Sequence, residues 1–552
     1  MIFRQSIENI KFLSNKIKLL LFFDVLIGVM WFAGETSFLL IIQGFLSSLG
    51  IMQDQVSILP SWYPKTVNYN LVCLILFGAT RALLSISKQY LSMHTAQVFM
   101  SEARKELISA SFRKKHKLSM SDQLSFFGEI VGIAGNYVTS LNQFAYGFIA
   151  SILFFLVTLK VAPVETSIGT VLLVIFLYPL KKITGSVSGL GERLNANSRA
   201  MYETLITGIK NLFFLRLYRM TDSEALRGID QISEYEKSSK VYALSSSFSS
   251  GIPQFIGLIV LVVATWLGIN FSETKPLITV AFFYLFIRFS QTASGLFSTL
   301  TQLKVTSSSF VLLRETILKL RTLDSAIEQN VQNEECDEIK IEMRDVSCRY
   351  DQGNVFENIS FVSTRGKFIL LKGPSGSGKS TLLKTLLGIH KPNSGIVLLN
   401  DRKLEYGESL AKKIGYVGPE PFLIQATVRE NLLYGNSNSF IKDDELWMAL
   451  RCVDLEKKIF SLTEGLNSIL LEETQLSTGQ KQRLSFARAL LRKPKLLILD
   501  EATANIDEET EKSILNVLRL MKKDISAIIV SHKNTFDELA DETIILGGKH
   551  GA

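Results

Sequence analysis

The sequence predicts two units of different class: an all-α membrane domain of six transmembrane helices with long cytoplasmic extensions, followed by a mixed α/β domain. Three observations predict this. Apolar stretches of about twenty residues, the length that crosses a hydrocarbon layer as a helix, recur through roughly the first three hundred positions. Basic residues collect in alternate connections between those stretches. Beyond them, short apolar runs alternate with amphipathic segments, as in a soluble α/β domain. A chain of 552 residues also exceeds what one hydrophobic core serves, so several domains are expected.

Residues 1–18 carry Ile2, Ile7, Ile10, Leu13 and Ile17 at helical spacing, with Arg4, Lys11, Lys16 and Lys18 between them. This predicts an amphipathic helix on the inner membrane face. No small-residue cleavage site closes the apolar run that follows, so a removable signal peptide is not expected. The transmembrane domain is expected over 19–310, with spans at roughly 19–46, 67–88, 139–160, 162–183, 251–271 and 276–298. Lys88, Arg104, Lys105 and Arg113 lie between the second and third, and Lys181, Lys182, Arg193, Arg199 and Lys210 between the fourth and fifth. The connections at 47–66 and 272–275 have few basic residues, so both termini should face the cytoplasm across a cell's inner (plasma) membrane. The two basic connections are helical in pattern, which implies helices continuing beyond the membrane. Segment 47–66 combines aliphatic residues with Trp62 and Tyr63 and predicts a short external helix at the lipid interface.

The formal charge of +8 gathers in these loops and reports membrane topology, not a nucleic-acid partner. Four cysteines, Cys73, Cys336, Cys348 and Cys452, have no CxxC spacing, and neither a disulfide nor a zinc site is expected. Ionisable residues at span depth are costly and mark candidate sites. Glu35 falls in the outer half of its span and Arg288 nearer the middle of its own, so pairing them would need a favourable tilt or shifted boundaries. Arg81 is expected toward the cytoplasmic end of the second span, and Asp24 close enough to the inner boundary to be solvated. Glu35, Arg81 and Arg288 are read either as structural charge partners or as substrate-facing groups. An arginine in a hydrated cavity would suit an anionic head group.

A linker is expected over 311–339, where apolar runs lapse and Glu334, Glu335, Asp337 and Glu338 accumulate. The α/β domain should occupy 340–552. There, Phe368-Ile369-Leu370-Leu371 reads as a strand, GPSGSGKST (Gly373 to Thr381) as a Gly-rich loop and the next residues as a helix: the order of a phosphate cradle. Gly373, Gly376 and Gly378 let backbone N–H groups approach phosphate oxygens, with Ser375 between them. Lys379 supplies charge to the β- and γ-phosphates, and Ser380, followed by Thr381, is placed to ligate magnesium. Leu496 to Leu499 forms a second apolar strand ending in Asp500, suited to hold magnesium, and Glu501, suited to polarise an attacking water. A third strand, Ala527 to Val530, delivers Ser531 and His532.

The segment LSTGQKQR (Leu476 to Arg483), placed shortly before the Asp500-Glu501 pair, is similar to the LSGGQ signature of ATP-binding cassette proteins. Together with the phosphate loop and the spans, it makes nearly the whole chain resemble an ATP-binding cassette half-transporter of the exporter type. The resemblance implies ATP and Mg2+ as cofactors and a dimer. Ser477, Gly479 and Gln480 of one copy would complete the site around Lys379 of the other. It further implies that Tyr350 stacks on adenine, that Asp507 is the acid of the loop after the catalytic Glu501, and that His532 is the switch histidine. Two positions depart from the pattern: Thr478 replaces the first glycine of the signature, and Pro419, followed by Glu420, stands where the family usually has glutamine.

The exporter resemblance implies outward transport by alternating access and a homodimer, although a heterodimer would present the same half-sequence. The arginines and the expected external helix are loosely similar to bacterial flippases for lipid-linked oligosaccharides, making an amphipathic, lipid-linked anionic substrate the leading expectation. A peptide or hydrophobic-drug exporter is the alternative. A regulator or channel that binds ATP with little hydrolysis is a reading of another class, favoured by Pro419 and opposed by Lys379, Asp500, Glu501 and His532. A DNA-acting ATPase would leave the spans unexplained.

Overall fold

The computed structural model describes residues 2–49, 66–113, 119–178, 187, 189–271, 276–324, 338–350, 353–404, 414–436, 441–470, 476–504 and 506–547. The chain divides into two compact units, Met1–Ala326 and Ile327–Ala552.

The first unit is helical. Helix α1 (Ile2–Phe12) leads into α2 (Asn15–Ser48) and α3 (Val67–Arg113), and α4 (Met120–Ser125) runs through a π turn (Phe126–Ile130) into α5 (Val131–Val161). Then follow α6 (Pro163–Leu177), α7 (Leu190–Lys210), α8 (Leu212–Leu217), α9 (Thr221–Phe271) and α10 (Pro276–Asp324). Pro163 opens α6 in its first turn, where a missing N–H costs nothing. Among the described residues, five helices are long and apolar enough to cross a membrane, within 15–35, 67–112, 120–161, 221–267 and 279–321. The sixth expected span, 162–183, falls on the shorter apolar helix α6, and its residues 179–183 lie outside the described set. At 47 and 51 residues, α3 and α9 far exceed the ~20 residues a bilayer needs, as expected from the two basic connections; α10, at 49 residues, also runs on past the sixth expected span, where no extension was expected. Aromatic side chains fill the core, with Phe126, Phe154, Phe282, Phe286 and Phe310 fully buried. Large apolar side chains such as Phe22 on α2 and Ile75 on α3 remain exposed, as lipid-facing positions would be.

Three expectations change. Residues 1–18 do not form one surface helix, because α1 ends at Phe12 and α2 already begins at Asn15. Leu13 and Ile17 are buried, and Asn9 is 0% exposed: its Nδ2 donates to Tyr137 Oη at 3.0 Å, and Arg314 donates to its Oδ1 at 2.7 Å. Polar bonds to α5 and α10 therefore tether α1 to the bundle. The linker expected from 311 is helical up to Asp324, since Phe310, Leu313, Ile317 and Leu320 keep a buried stripe at helical spacing. Asp24 is not solvated. It is 2% exposed, points into the bundle and accepts a hydrogen bond from Asn142 Nδ2. The expected external helix lies almost entirely outside the described residues, as do Glu334, Glu335 and Asp337 of the linker.

The second unit has two sheets. An antiparallel one has the order β2-β1-β4-β5, from β1 (Ile341–Tyr350), β2 (Gly353–Ser363), β4 (Ser394–Leu399) and β5 (Arg402–Lys403). A parallel one has the order β6-β7-β8-β3-β9, from β3 (Phe368–Lys372), β6 (Ile414–Val417), β7 (Leu496–Asp500), β8 (Ser526–Val530) and β9 (Glu542–Ile545). Helices α11 (Lys379–Leu386), α12 (Val428–Leu433), α13 (Asp443–Cys452), α14 (Glu456–Phe460), α15 (Thr478–Leu491) and α16 (Glu508–Met521) accompany them. The central strands β3, β7 and β8 carry apolar runs buried on both faces, whereas the edge strand β9 alternates half-buried and exposed residues. Phe368, Leu370, Leu497 and Leu499 enter one buried cluster, whereas Ile369, Leu371, Leu496 and Ile498 enter another.

Candidate functional site

Strand register builds the site in the second unit. Leu371 pairs with Val530 and Val530 with Asp500, so β3, β8 and β7 end side by side. Their following loops open at the carboxyl edge of a parallel sheet, where α/β domains bind ligands. The three sequence-predicted loops therefore converge.

The phosphate loop leaves β3 with positive φ at Gly373 (152°), Gly376 (82°) and Gly378 (90°). A Cβ on Gly373 would lie 2.4 Å from the Leu546 carbonyl oxygen, and one on Gly378 2.5 Å from Val355 Cγ1. Only glycine fits either position. Lys379 opens α11, with Ser380 and Thr381 in the same first turn. Its Nζ donates to the carbonyls of Gly373 (2.7 Å) and Pro374 (2.9 Å), which holds the ammonium over the loop. These backbone donors, this helix start and this cation fit a triphosphate. Tyr350 closes β1, and its side chain lies outside the described set.

Asp500 ends β7 and is 8% exposed. Burial, and next the charge of Glu501, push its carboxyl above the usual aspartate range. Tyr416 Oη donates to Asp500 Oδ2 at 3.4 Å, and burial followed by that carboxylate pushes the phenol up to about 12. An oxygen donor set of Ser380 and Asp500 suits magnesium, a hard cation that keeps several waters. Glu501 has φ of 50°, and its N–H donates to the Val530 carbonyl at 3.0 Å. That turn brings Glu501 Oε1 to 3.5 Å from His532 Nε2. A carboxylate and an imidazole this close stand side by side and can both face one water at their shared edge.

The signature segment is a capping box. Ser477 precedes α15, its Oγ accepts from the Gln480 N–H (3.2 Å), and its own N–H donates to Gln480 Oε1 (3.0 Å). Ser477 is exposed and Gly479 sits in the first turn, so the helix start is open to an anion. Asp507 caps α16, accepting from Thr510 N at 2.9 Å, and that bond holds its carboxyl below the usual range. Pro419 and Glu420 are exposed beyond β6, and Gln482 Nε2 donates to the Gly418 carbonyl just before them, at 2.7 Å.

In the helical unit, the three predicted ionisable residues meet. Glu35, 1% exposed, lies 2.7 Å from Arg81 Nε and 3.0 Å from Arg288. Arg81 therefore stands at the level of Glu35, not below it, and Glu35 and Arg288 do pair. Sequence reading missed Tyr284, whose Oη donates to Glu35 Oε2 at 2.9 Å. Its place four residues before Arg288 on one helix was the available signal. Also missed were Lys533 and Glu511, paired at 2.8 Å beside His532.

Comparison with known proteins agrees with this geometry. Residues 17–297 match the family model described as the ABC transporter transmembrane region, and residues 356–504 match the model described as ABC transporter. The chain is 24% identical to a putative export ATP-binding/permease protein of Rickettsia prowazekii, over 98% of this chain and 94% of that one. It is 37% identical to an uncharacterized ABC transporter ATP-binding protein of Bacillus subtilis, over 37% of this chain and 34% of the other. With an ABC multidrug transporter of Aspergillus fumigatus it shares 34% identity over 38% of this chain and 17% of that protein. Convergent nucleotide loops, a capped signature helix and a helical unit matched over more than half the chain lead to one conclusion: the chain belongs to the ABC transporter family, as an exporter half-transporter that couples ATP hydrolysis to transport.

Proposed function

We propose that two copies of this chain form an exporter or flippase of a cell's inner membrane. Each copy contributes six spans with both termini in the cytoplasm, and together they move an amphipathic, lipid-linked anionic substrate outward. One observation carries the anionic reading: a single buried carboxylate, Glu35, meets two guanidinium groups, leaving one formal positive charge uncompensated at span depth. Arg81 and Arg288 are 40% and 24% exposed, so both retain N–H groups for phosphate oxygens.

In the nucleotide site, Gly373, Ser375, Gly376, Gly378, Lys379 and Thr381 would cradle the phosphates, and Tyr350 would stack on adenine. Ser380 and Asp500 would hold magnesium, which when bound neutralises phosphate charge. Glu501 acts as base toward water and His532 orients it. Ser477, Gly479 and Gln480 serve the partner's nucleotide, with Asp507 at the same face. Coupling requires only that ATP bind the closed pair better than the open one.

The test is Mg-ATP turnover of the purified chain in lipid vesicles with and without a polyprenyl diphosphate. Stimulation is expected, and Arg288→Ala should raise the half-maximal lipid concentration about tenfold, as for loss of a charge-assisted hydrogen bond. Stimulation that survives Arg288→Ala and Arg81→Ala unchanged would remove the anionic reading.

A further inference from the structure

Glu511 lies in the first turn of α16 with its side chain 4% exposed, whereas the other ion-paired acids described in the second unit have side chains 15% to 82% exposed. Both of its oxygens are engaged. Oε1 accepts from the hydroxyls of Thr503 (2.9 Å) and Thr535 (3.1 Å), and Oε2 accepts from Lys533 Nζ (2.8 Å). Lys533 Nζ also donates to the Thr503 carbonyl at 2.9 Å. Thr503 stands two residues past Glu501, and Lys533 and Thr535 stand one and three residues past His532. One buried carboxylate thus gathers donors from the two loops that carry Glu501 and His532. The turn that presents it is itself fixed: Asp507 accepts from Thr510 N at 2.9 Å, and Arg483 Nη1 on α15 donates to Thr510 Oγ1 at 3.2 Å.

The two loops need such an anchor. Glu501 and His532 are 40% and 52% exposed, so packing around the side chains does not set their 3.5 Å separation; the backbone beneath them does. At Glu501 that backbone is in the left-handed region, with φ of 50°, which a residue other than glycine keeps only where its surroundings impose it. The Val530 carbonyl holds the Glu501 N–H on one side, and the bonds from Thr503 to Glu511 and Lys533 hold the chain on the other. An apolar pair of similar volume often serves a fold as well as a buried ion pair does. Here it would leave the Thr503 carbonyl and two threonine hydroxyls without these partners.

We propose that Glu511 and Lys533 are positioning residues for ATP hydrolysis: their ion pair fixes Glu501 and His532 against each other, so that both face the same water. Their role rests on Glu501 being the base and His532 its orienting partner, as proposed above. The pair acts through the two loops and takes up no proton in the reaction. Lysine suits the place because one ammonium donates to the Glu511 carboxylate and the Thr503 carbonyl together, joining the chain after His532 to the chain after Glu501 directly.

The test is steady-state Mg-ATP turnover, with equilibrium ATP binding and melting temperature, for the full chain in lipid vesicles. Lys533→Met and Glu511→Gln should each lower kcat roughly tenfold, within the ~10²-fold that a misplacement of about 1 Å can cost, and move KM and ATP affinity less than about twofold. Lys533→Arg, which keeps the charge and the donors, should recover about half of wild-type turnover. In a His532→Ala background, Lys533→Met should cost less than about twofold, because no imidazole is left to place. The Lys533→Met/Glu511→Gln double variant strands no charge and reads the role even if a single variant unfolds: it should regain melting temperature while kcat stays roughly tenfold low. Turnover that returns with melting temperature in the double variant, or an equal loss in both His532 backgrounds, makes the pair a support of the fold alone and overturns the positioning role. Full turnover in Lys533→Met beside a loss in Glu501→Gln overturns the positioning role and leaves the base standing. Full turnover in Glu501→Gln overturns the base assignment, and the positioning role with it.

Discussion

Lys533 donates from Nζ to Glu511 Oε2 at 2.8 Å and to the Thr503 carbonyl at 2.9 Å. Glu511 also accepts from the hydroxyls of Thr503 (2.9 Å) and Thr535 (3.1 Å). The pair therefore ties the loop after Glu501 to the segment after His532. Glu511 is 3% exposed, so Lys533→Met strands a buried carboxylate. Lys533 is 38% exposed and water offsets part of the loss. The cost should be about 2 kcal/mol, below the ~3–5 kcal/mol of fully buried pairs. Thermal unfolding of the nucleotide-domain transition checks it, and the Lys533→Met/Glu511→Gln double variant should recover more than half of the loss.

Glu501→Gln should lower Mg-ATP turnover by about 10²–10⁴-fold while leaving ATP binding within a factor of a few, because the amide keeps the shape of the side chain and loses its basicity. His532→Ala should cost less, since Glu501 would still face the water. Steady-state turnover beside equilibrium ATP titration separates the two effects. Unchanged turnover in Glu501→Gln would refute its role as base.

The second unit was the more legible in sequence because its chemistry is local. Gly373 to Thr381 and Leu496 to Glu501 each carry a strand and its functional loop in contiguous residues, and strand pairing then has few options. Spans were legible as runs, but their relative heights were not. Arg81 and Glu35 meet because two antiparallel helices pack with a particular stagger, and no local pattern encodes that offset. Asp24 was misread for the same reason: distance from a span boundary says nothing of which face a residue occupies, and here the face is turned toward Asn142.

Two glycines of the phosphate loop should differ when given a methyl group. At Gly376 the φ of 82° is strained for alanine, yet nothing lies within 4 Å, so Gly376→Ala should cost about 1–2 kcal/mol of backbone strain and leave ATP binding measurable. At Gly373 the new Cβ meets a backbone oxygen at 2.4 Å. Because that carbonyl belongs to Leu546 at the end of the neighbouring strand, it cannot move freely, and Gly373→Ala should abolish ATP binding. Titration with a fluorescent ATP analogue distinguishes them.

Removing Glu35 should harm the fold more than removing either arginine. Glu35→Ala leaves two guanidinium groups without their carboxylate, and because Arg81 is 40% and Arg288 24% exposed the loss should be about 2 kcal/mol, below the ~3–5 kcal/mol of fully buried pairs. After Arg81→Gln, Glu35 keeps both Arg288 and the Tyr284 hydroxyl. The expected order of detergent-solubilised melting temperature is wild type, then Arg81→Gln, then Glu35→Ala. A Glu35→Ala protein as stable as wild type would mean that the cluster contributes nothing to the fold.

Asp500 should trade stability for function. Burial and the neighbouring Glu501 charge raise its pKa, so the folded chain binds this proton more tightly than the unfolded chain does. For this group, stability rises as pH falls through the raised value and is lost above it. Asp500→Asn removes the buried charge and should raise the nucleotide-free melting temperature by a few degrees at neutral pH. The gain should shrink toward acid, as wild-type Asp500 takes up its own proton. The same substitution removes the proposed magnesium ligand, so added Mg-ATP should stabilise the variant far less than wild type. Calorimetry across pH, with and without nucleotide, reads both arms. A variant that melts below wild type at neutral pH would mean that the Tyr416 bond, not desolvation, governs this carboxylate.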